Sequence, residues 1–305
     1  MASPLTLRRV SFDFDPDDTG IDFHWHPNAA LSAIGNATSF GAVAFERMVC
    51  RAVKEALPLI RDDGLRSECR DFIAQEAMHS AAHKAHARAL VKRYPDLADT
   101  PNHVQALCDD LFDGRSLKAR LGFAAVLEGV LPAVGRHMIV TRQSLFAGAD
   151  RRVSALMLWH FCEEIEHEAT GVQLYRHLYP GSWRAARIPL ALRFVAQFTR
   201  LMEAKFSDHA SAPERSRRWS RDPHWGQIRT LIRRAALSPW PNHKPGSEPL
   251  PRWAADYLER VEVTGDPVAS LDLGPVGLAA APARLAPAPV DMDEGAMHGI
   301  GLVGA

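Results

Sequence analysis

The chain has 305 residues, 47% of them hydrophobic and 24% charged, which is typical of a soluble globular protein built on one large domain. Lys and Arg together number 36, as do Asp and Glu, so no excess of basic charge favours nucleic acid as a partner. The N-terminus lacks an apolar run of signal-peptide length and the four cysteines form no Cys-x-x-Cys pair, so we expect a cytoplasmic protein with reduced thiols.

Proline and glycine divide the chain into an irregular N-terminal segment, residues 1–34, and a series of long helices. Each predicted helix is long enough to cross a bundle once. The predicted helices cover residues 36–60, 64–93, 115–145 and 150–178, with turns at Pro95, Pro101, Gly148 and Pro180. We therefore expect an all-α protein whose core is a four-helix bundle.

The C-terminal third begins with a fifth helix and then loses its regular pattern. Residues 188–206 carry too many charges to span a membrane, so we expect this amphipathic helix to pack on the bundle and complete a domain from residue 35 to 206. Residues 207–264 are rich in Trp and Pro and are predicted to form a cap of short helices. Residues 265–305 are largely Ala, Pro and Gly and are predicted to form a flexible tail.

One acidic pattern occurs twice in the predicted bundle: a lone glutamate followed, 30 or 36 residues later, by a Glu-x-x-His unit. Each interval allows one helix to run down, turn and run back. The residues of this pattern are Glu46, Glu76 and His79 in the first half and Glu128, Glu164 and His167 in the second. This is the ligand set of a dinuclear metal site in a four-helix bundle.

Helical phase supports this interpretation. Residues three and four apart share one face of a helix, and each of the four glutamates replaces an apolar residue within an apolar stripe, as Glu46 does between Val43 and Cys50. Four carboxylates therefore point at one core, where a buried, unpaired carboxylate costs several kcal/mol. The stripes contain no Arg or Lys, so two divalent cations are the expected source of neutralising charge.

Two further histidines follow the same phase. His83 is four residues after His79, and His160 is four residues before Glu164. Each is interpreted either as an additional ligand or as a donor that orients a ligand carboxylate.

Three further acidic residues near the second unit, Glu163, Glu166 and Glu168, fall off the metal stripe. They are predicted to lie on the solvated side of the helix, paired with Arg151, Arg152 or Arg176.

The ligand types favour a particular set of metals. Mixed carboxylate and imidazole ligands suit iron, manganese or zinc better than magnesium or calcium. A closed structural zinc site would use mainly Cys or His. The predicted cofactor is therefore a pair of iron ions, with manganese or zinc as alternatives.

Two segments resemble a known family: DFIAQEAMHSAAH, residues 71–83, and WHFCEEIEH, residues 159–167, together with the step of 30 residues from Glu46 to Glu76. The family consists of the ferritin-like bacterial proteins labelled "predicted metal-dependent hydrolase", and the resemblance extends over roughly residues 20 to 260. It implies a ferritin-like helical fold with a dinuclear metal site. The chain departs from the family pattern at Ala44-Phe45-Glu46, where the family usually has Pro-x-Gly-Glu.

The predicted function is that of a non-haem diiron oxidase or oxygenase, which would use O2 and an electron donor to oxidise a small apolar or amine substrate. A homodimer is compatible with the sequence, and no transmembrane segment is predicted. The first alternative is a hydrolase in which two metals activate water; against it stands the absence of Arg and Lys on the metal stripes, where an anionic substrate would need them. The second alternative is an iron-binding or storage protein without an organic substrate.

Overall fold

The computed structural model describes residues 5–8, 10, 12–15, 17–181, 187–210 and 250–258. These residues form helices and contain no strand, which confirms the all-α prediction. The ferritin-like relationship stays a prediction. The helices are α1 Ala29–Ala56, α2 Asp63–Arg93, α3 Thr100–Phe112, α4 Leu117–Leu127, α5 Leu131–Leu145, α6 Arg151–Leu178, α7 Ile188–Ala210 and α8 Arg252–Leu258, with short 3-10 turns at Leu57–Leu59 and Pro95–Leu97.

Helices α1 and α2 form the first hairpin, and each begins at a capping side chain. The side-chain oxygen of Asn28 accepts hydrogen bonds from the backbone N–H groups of Ala30 and Leu31, at 2.9 and 3.4 Å. Helix α1 therefore begins at residue 29 rather than at the predicted residue 36. Asp62 caps α2 by accepting from the N–H of Leu65 at 2.9 Å.

Helix α3 was missing from the sequence prediction, which placed a turn at Pro101. The structure places this proline in the first turn of α3. A proline there removes no helical hydrogen bond, because the first N–H groups of a helix have no partner within it. Val104, Cys108 and Leu111 are buried and attach α3 to the core.

The predicted helix 115–145 is interrupted. Helix α4 ends at Leu127 and α5 begins at Leu131. Pro132 has no N–H to donate to the carbonyl of Glu128, four residues earlier, so the helical hydrogen bonds stop there. Glu128 consequently lies at the end of α4 rather than in the middle of a long helix.

The described residues before α1 are irregular, whereas residues 29–34 of the predicted N-terminal segment belong to α1, and this segment is not merely a polar extension. Phe14, Ile21, Phe23 and Trp25 are almost fully buried in the core. Backbone hydrogen bonds fasten the segment at two points, Ile21 N–H to the carbonyl of Ala89 at 3.2 Å and the N–H of Asp150 to the carbonyl of Trp25 at 2.6 Å. The segment therefore closes over α2 and α6.

The fifth helix of the prediction corresponds to α7, which packs against α1, α3 and α4. The predicted cap at 207–264 is described only at residues 207–210 and 250–258, and the predicted tail at 265–305 lies outside the described residues. The predicted domain boundaries stay predictions.

The stretch 117–145, which contains α4 and α5, is long and apolar enough to cross a membrane, with a mean hydropathy of 1.4. Of its most apolar window, 61% is buried inside the protein, and both helices pack against α6. The core helix of a soluble protein meets the same criteria of length and composition. The cytoplasmic location stays a prediction.

Candidate metal centre

All six predicted ligands lie in the interior of the helical domain, with a relative exposure of 2% or less. They come from four different helices. Glu46 lies on α1, Glu76 and His79 on α2, Glu128 at the end of α4, and Glu164 and His167 on α6. Four carboxylates thus share one core, as the helical phase predicts, and their role as metal ligands stays a prediction.

The two Glu-x-x-His units form one compact group, in which one nitrogen or oxygen of each side chain lies within 4.8 Å of the others. Nδ1 of His167 is 2.9 Å from Oε1 of Glu76 and 3.6 Å from Oε1 of Glu164. Nδ1 of His79 is 3.9 Å from Oε2 of Glu76 and 3.7 Å from Oε1 of Glu164. Both histidines therefore turn Nδ1 toward the carboxylates.

The outward nitrogen of each histidine is held by a side chain of the opposite helix. Nε2 of His79 lies 3.0 Å from Oε2 of Glu163 on α6, and Nε2 of His167 lies 2.9 Å from Oε1 of Gln75 on α2. The NH2 group of Gln75 fixes the orientation of the amide, because it donates to the backbone carbonyl of Thr6 at 2.8 Å and to the carboxylate of Glu166 at 3.1 Å. Since Glu163 and the Gln75 oxygen can only accept, both histidines carry a proton on Nε2 and, when neutral, present a bare Nδ1 to the centre.

When the two histidines are neutral, lone pairs therefore face one another in this interior group. Nδ1 of His167 and Oε1 of Glu76 are as close as a hydrogen-bonded pair but lack its alignment, and neither atom makes a hydrogen bond among the described residues. Nδ1 of His79 and Oε2 of Glu164 are likewise without a hydrogen-bond partner there. Such buried atoms destabilise a protein unless something compensates them. When two ligand atoms each lie about 2.1 Å from the same metal ion, the distance between the two ligand atoms is about 3 Å. The distance of 2.9 Å between Nδ1 of His167 and Oε1 of Glu76 therefore fits a divalent cation bound to both.

A second group combines Glu46 with His83 and His160. Nε2 of His160 lies 2.7 Å from Oε1 of Glu164 and 3.7 Å from Oε1 of Glu46. Both oxygens of Glu46 lack a hydrogen-bond partner in the described part of the chain. His160 thus makes the hydrogen bond expected of a residue that orients a carboxylate, while Glu46 remains available to a cation.

Hydrogen bonds continue from Glu164 through three buried histidines. Nε2 of His83 is 2.6 Å from Nδ1 of His160, and Oγ of Ser39 is 2.9 Å from Nδ1 of His83 and 2.7 Å from Nδ1 of His86. Burial lowers the pKa of all three histidines, that of His86 to about 3, which keeps them neutral. Because the carboxylate only accepts, His160 donates to Glu164, His83 to His160, Ser39 to His83, and His86 to Ser39.

Glu128 belongs to neither group. Its two carboxylate oxygens make no hydrogen bond within the described ranges, and its side chain lies against Gly171 of α6. It lines a narrow cavity between α1, α2, α4 and α6 that has room for about one water molecule. The other walls are mainly apolar and include Val49, Phe72 and Leu174.

Burial and repulsion act together on the two lone glutamates. The pKa of Glu46 and that of Glu128 are raised well above 4.5 by burial, and further by the neighbouring carboxylates. For the two histidines of the Glu-x-x-His units burial acts in the opposite direction, but the surrounding carboxylates raise the pKa of His79 to about 9 and that of His167 well above 6.5. In the metal-free protein, protons on these histidines supply the positive charge that the carboxylates require.

The structure corrects the prediction that Glu163 and Glu166 face solvent; the side chain of Glu168 lies outside the described part of the structure. Glu163 is 1% exposed and Glu166 is partly buried. Both pair with Arg8 of the N-terminal segment rather than with an arginine of α6. Sequence reasoning missed Glu163 and Gln75 as functional candidates, although each directly precedes a glutamate of a Glu-x-x-His unit.

An all-helical protein that buries carboxylates and imidazoles in this way is a candidate metalloprotein. The model of a family described as "predicted metal-dependent hydrolase" matches residues 6–250, and the chain belongs to this family. Neither a curated protein nor a solved structure gives a significant match. The family description agrees with the hydrolase alternative and gives no support to the O2-dependent oxidase.

Proposed function

We propose that this protein is a metal-dependent hydrolase whose metal centre lies between α1, α2, α4 and α6. The observation that carries the proposal is the distance of 2.9 Å between Nδ1 of His167 and Oε1 of Glu76 without the alignment of a hydrogen bond. A cation shared by both atoms stabilises such an arrangement. The family description supports hydrolysis as the reaction type.

The donor set suits two divalent ions, because the −4 charge of four buried carboxylates equals the charge of two such ions. Carboxylate and imidazole ligands are compatible with zinc, manganese and iron. Metal ions in such a site polarise a carbonyl group and lower the pKa of bound water. The residues proposed to hold the first ion are Glu76, His79, Glu164 and His167. The second ion would be held by Glu46 together with His160 and His83, and it would have to displace hydrogen bonds that occupy both ring nitrogens of these two histidines in the metal-free protein.

Glu128 is proposed as the proton acceptor in place of the ligand role expected from its phase. It lies outside both groups, and it lines a cavity with room for about one water molecule. An Oε atom of Glu128 would take a proton from the attacking water as its oxygen bonds to the carbonyl carbon. The ester C–O bond then breaks, and the leaving alkoxide receives the proton from Glu128.

The substrate is proposed to be a small, uncharged ester or amide. The residues that line the cavity at Glu128 include no Arg or Lys and are mainly apolar, and the cavity, with room for about one water molecule, would have to widen to admit a substrate. The guanidinium of Arg8 lies behind Glu163 and is paired with Glu163 and Glu166. A phosphate ester would therefore lack the cationic side chain that phosphoryl transfer requires.

Metal-stripped protein reloaded with zinc, manganese or ferrous iron tests this proposal. The assay compares uncharged nitrophenyl esters of short acids with nitrophenyl phosphate. We expect metal-dependent hydrolysis of the esters, lost in Glu164→Gln and retained in Glu203→Gln, which changes an exposed residue of α7. If no metal form hydrolyses any ester, the proposal is wrong.

The diiron oxidase is the second candidate, since four carboxylates with imidazoles also suit iron. It would be established if the ferrous protein consumed O2 in a reaction that required an organic substrate and an electron donor. Iron uptake and oxidation without any organic substrate would instead favour iron storage.

A further inference from the structure

We propose that Arg8 is a positioning residue that fixes both histidines of the Glu-x-x-His units through two hydrogen-bonded chains. The inference rests on the metal centre of the proposed function. It concerns a residue of the N-terminal segment, outside the four helices that carry the candidate ligands.

The first chain leads from Arg8 to His79. Nη1 of Arg8 donates to Oε1 of Glu163 at 3.1 Å, and the other oxygen of Glu163 lies 3.0 Å from Nε2 of His79. The arginine fixes the rotation of the Glu163 carboxylate, so that its second oxygen faces the imidazole. A carboxylate in this position holds the tautomer of a ligand histidine and increases its basicity.

The second chain leads from Arg8 to His167. Nη1 and Nη2 of Arg8 donate to the two oxygens of Glu166, at 2.9 and 3.0 Å. Glu166 accepts from Nε2 of Gln75 at 3.1 Å, and Oε1 of Gln75 lies 2.9 Å from Nε2 of His167. Without Glu166 in place, the Gln75 amide would lose one of the two acceptors that set its orientation.

The guanidinium is itself held rigidly. The Arg8 side chain is fully buried, Nη2 also donates to the backbone carbonyl of Leu258 in α8, and the charged group lies 5.5 Å from the centre of the Tyr257 ring. The planar guanidinium of Arg8 therefore donates to the carboxylates of Glu163 and Glu166 at the same time, a geometry that the single ammonium group of lysine does not reproduce. The first and last described segments of the chain meet at this residue.

A purely structural ion pair would have a different consequence from a positioning residue. If Arg8 only fastened the N-terminal segment, its loss would lower stability and leave the metal site unchanged. If it positions Glu163 and Gln75, its loss releases both imidazoles and weakens metal binding. Loss of an orienting partner of this kind typically costs about 10- to 100-fold in metal affinity.

The test measures Co²⁺ binding to the full chain by competition with a chromophoric chelator, together with the visible spectrum of bound Co²⁺ and circular dichroism. We expect Arg8→Met to raise the Kd for Co²⁺ by about 10- to 100-fold and to shift the visible bands. Arg93→Met is the matched control, because Arg93 also ties the N-terminal segment to α2, through Asp22 at 3.1 Å. It should leave both the Kd and the spectrum unchanged.

Glu163→Gln provides an independent variant, since it removes the charge beside Arg8 and His79 while preserving shape. The proposal is wrong if folded Arg8→Met or folded Glu163→Gln binds Co²⁺ with the affinity and visible spectrum of the wild-type protein. Loss of folding in both variants also overturns it, because Arg8 is then a structural residue. Wild-type protein that binds no Co²⁺ removes the metal centre and this inference with it, whereas normal binding without ester hydrolysis contradicts only the proposed function.

Discussion

Glu163 and Gln75 occupy corresponding positions on α6 and α2: each directly precedes a glutamate of a Glu-x-x-His unit, and each hydrogen-bonds the histidine of the other helix. The two helices are thereby linked crosswise on the outer side of the candidate centre. The partners differ in charge, a carboxylate for His79 and an amide for His167. The two histidines are therefore held in the same tautomer but with unequal basicity.

His79→Ala and His167→Ala should each lower the metal content from two equivalents to one or fewer, because each removes a proposed ligand of the first ion. We expect the larger loss of affinity for His79→Ala, whose imidazole is backed by a carboxylate. Elemental analysis of the purified variants measures the content, with His103→Ala, an exposed position on α3, as the control. Variants that retained two full equivalents would contradict the ligand assignment.

Glu128→Gln separates the two roles considered for this residue. As a proton acceptor, Glu128 is needed for the reaction but not for the metal, so the variant should keep its metal and lose about 10²- to 10⁴-fold in kcat. Measuring both the metal content and the rate of ester hydrolysis of this variant distinguishes a proton acceptor from a metal ligand. A variant that lost a metal equivalent would instead show that Glu128 is a ligand, as the helical phase predicts.

The metal-free protein should lose stability as the pH rises from about 6 to about 9. The raised pKa values of His79, about 9, and of Glu46 and Glu128, above 4.5, mean that the folded state binds these protons more tightly than the unfolded chain does. Protonation therefore stabilises the fold at low pH, and this stabilisation disappears as the pH passes through the folded-state values.

Thermal unfolding of chelator-treated and metal-loaded protein at both pH values tests this expectation. The Tm of the metal-free protein should fall over this range, while the metal-loaded protein should show a much smaller change because cations then balance the carboxylates. Equal pH dependence in the two forms would mean that these groups do not share one buried site.

Gly135→Ala should destabilise the fold by about 1–3 kcal/mol, because an added Cβ would overlap the backbone carbonyl oxygen of Phe161 where α5 crosses α6. The backbone on both sides would have to separate. Gly64→Ala at the exposed start of α2 is the control, since an added Cβ there would meet only the capping oxygen of Asp62, at 3.2 Å, and no backbone atom of another helix. Chemical unfolding of the two variants measures the difference, and equal stabilities would contradict the close approach of α5 and α6.

Sequence alone determined the class of the fold and the interior position of the six pattern residues. Both follow from local periodicity: residues three and four apart share a helical face, so a glutamate in an apolar stripe such as that of Glu46 must enter the core. The same reasoning placed His83 and His160 beside the candidate centre. Prolines were less informative, because a proline in the first turn of a helix, as at Pro101, resembles a proline in a turn.

Only the tertiary structure decided how these residues are grouped and held. Glu46 joins the histidines of the second group, and Glu128 lies apart where Pro132 interrupts the helix. The pairing of Arg8 with Glu163 joins residues 155 positions apart, which no helical period relates. Periodicity describes which side of its own helix a residue occupies, whereas the partner across the core depends on the packing of separate chain segments. For this reason Glu163 was predicted on a solvated face and is instead buried behind the candidate metal centre.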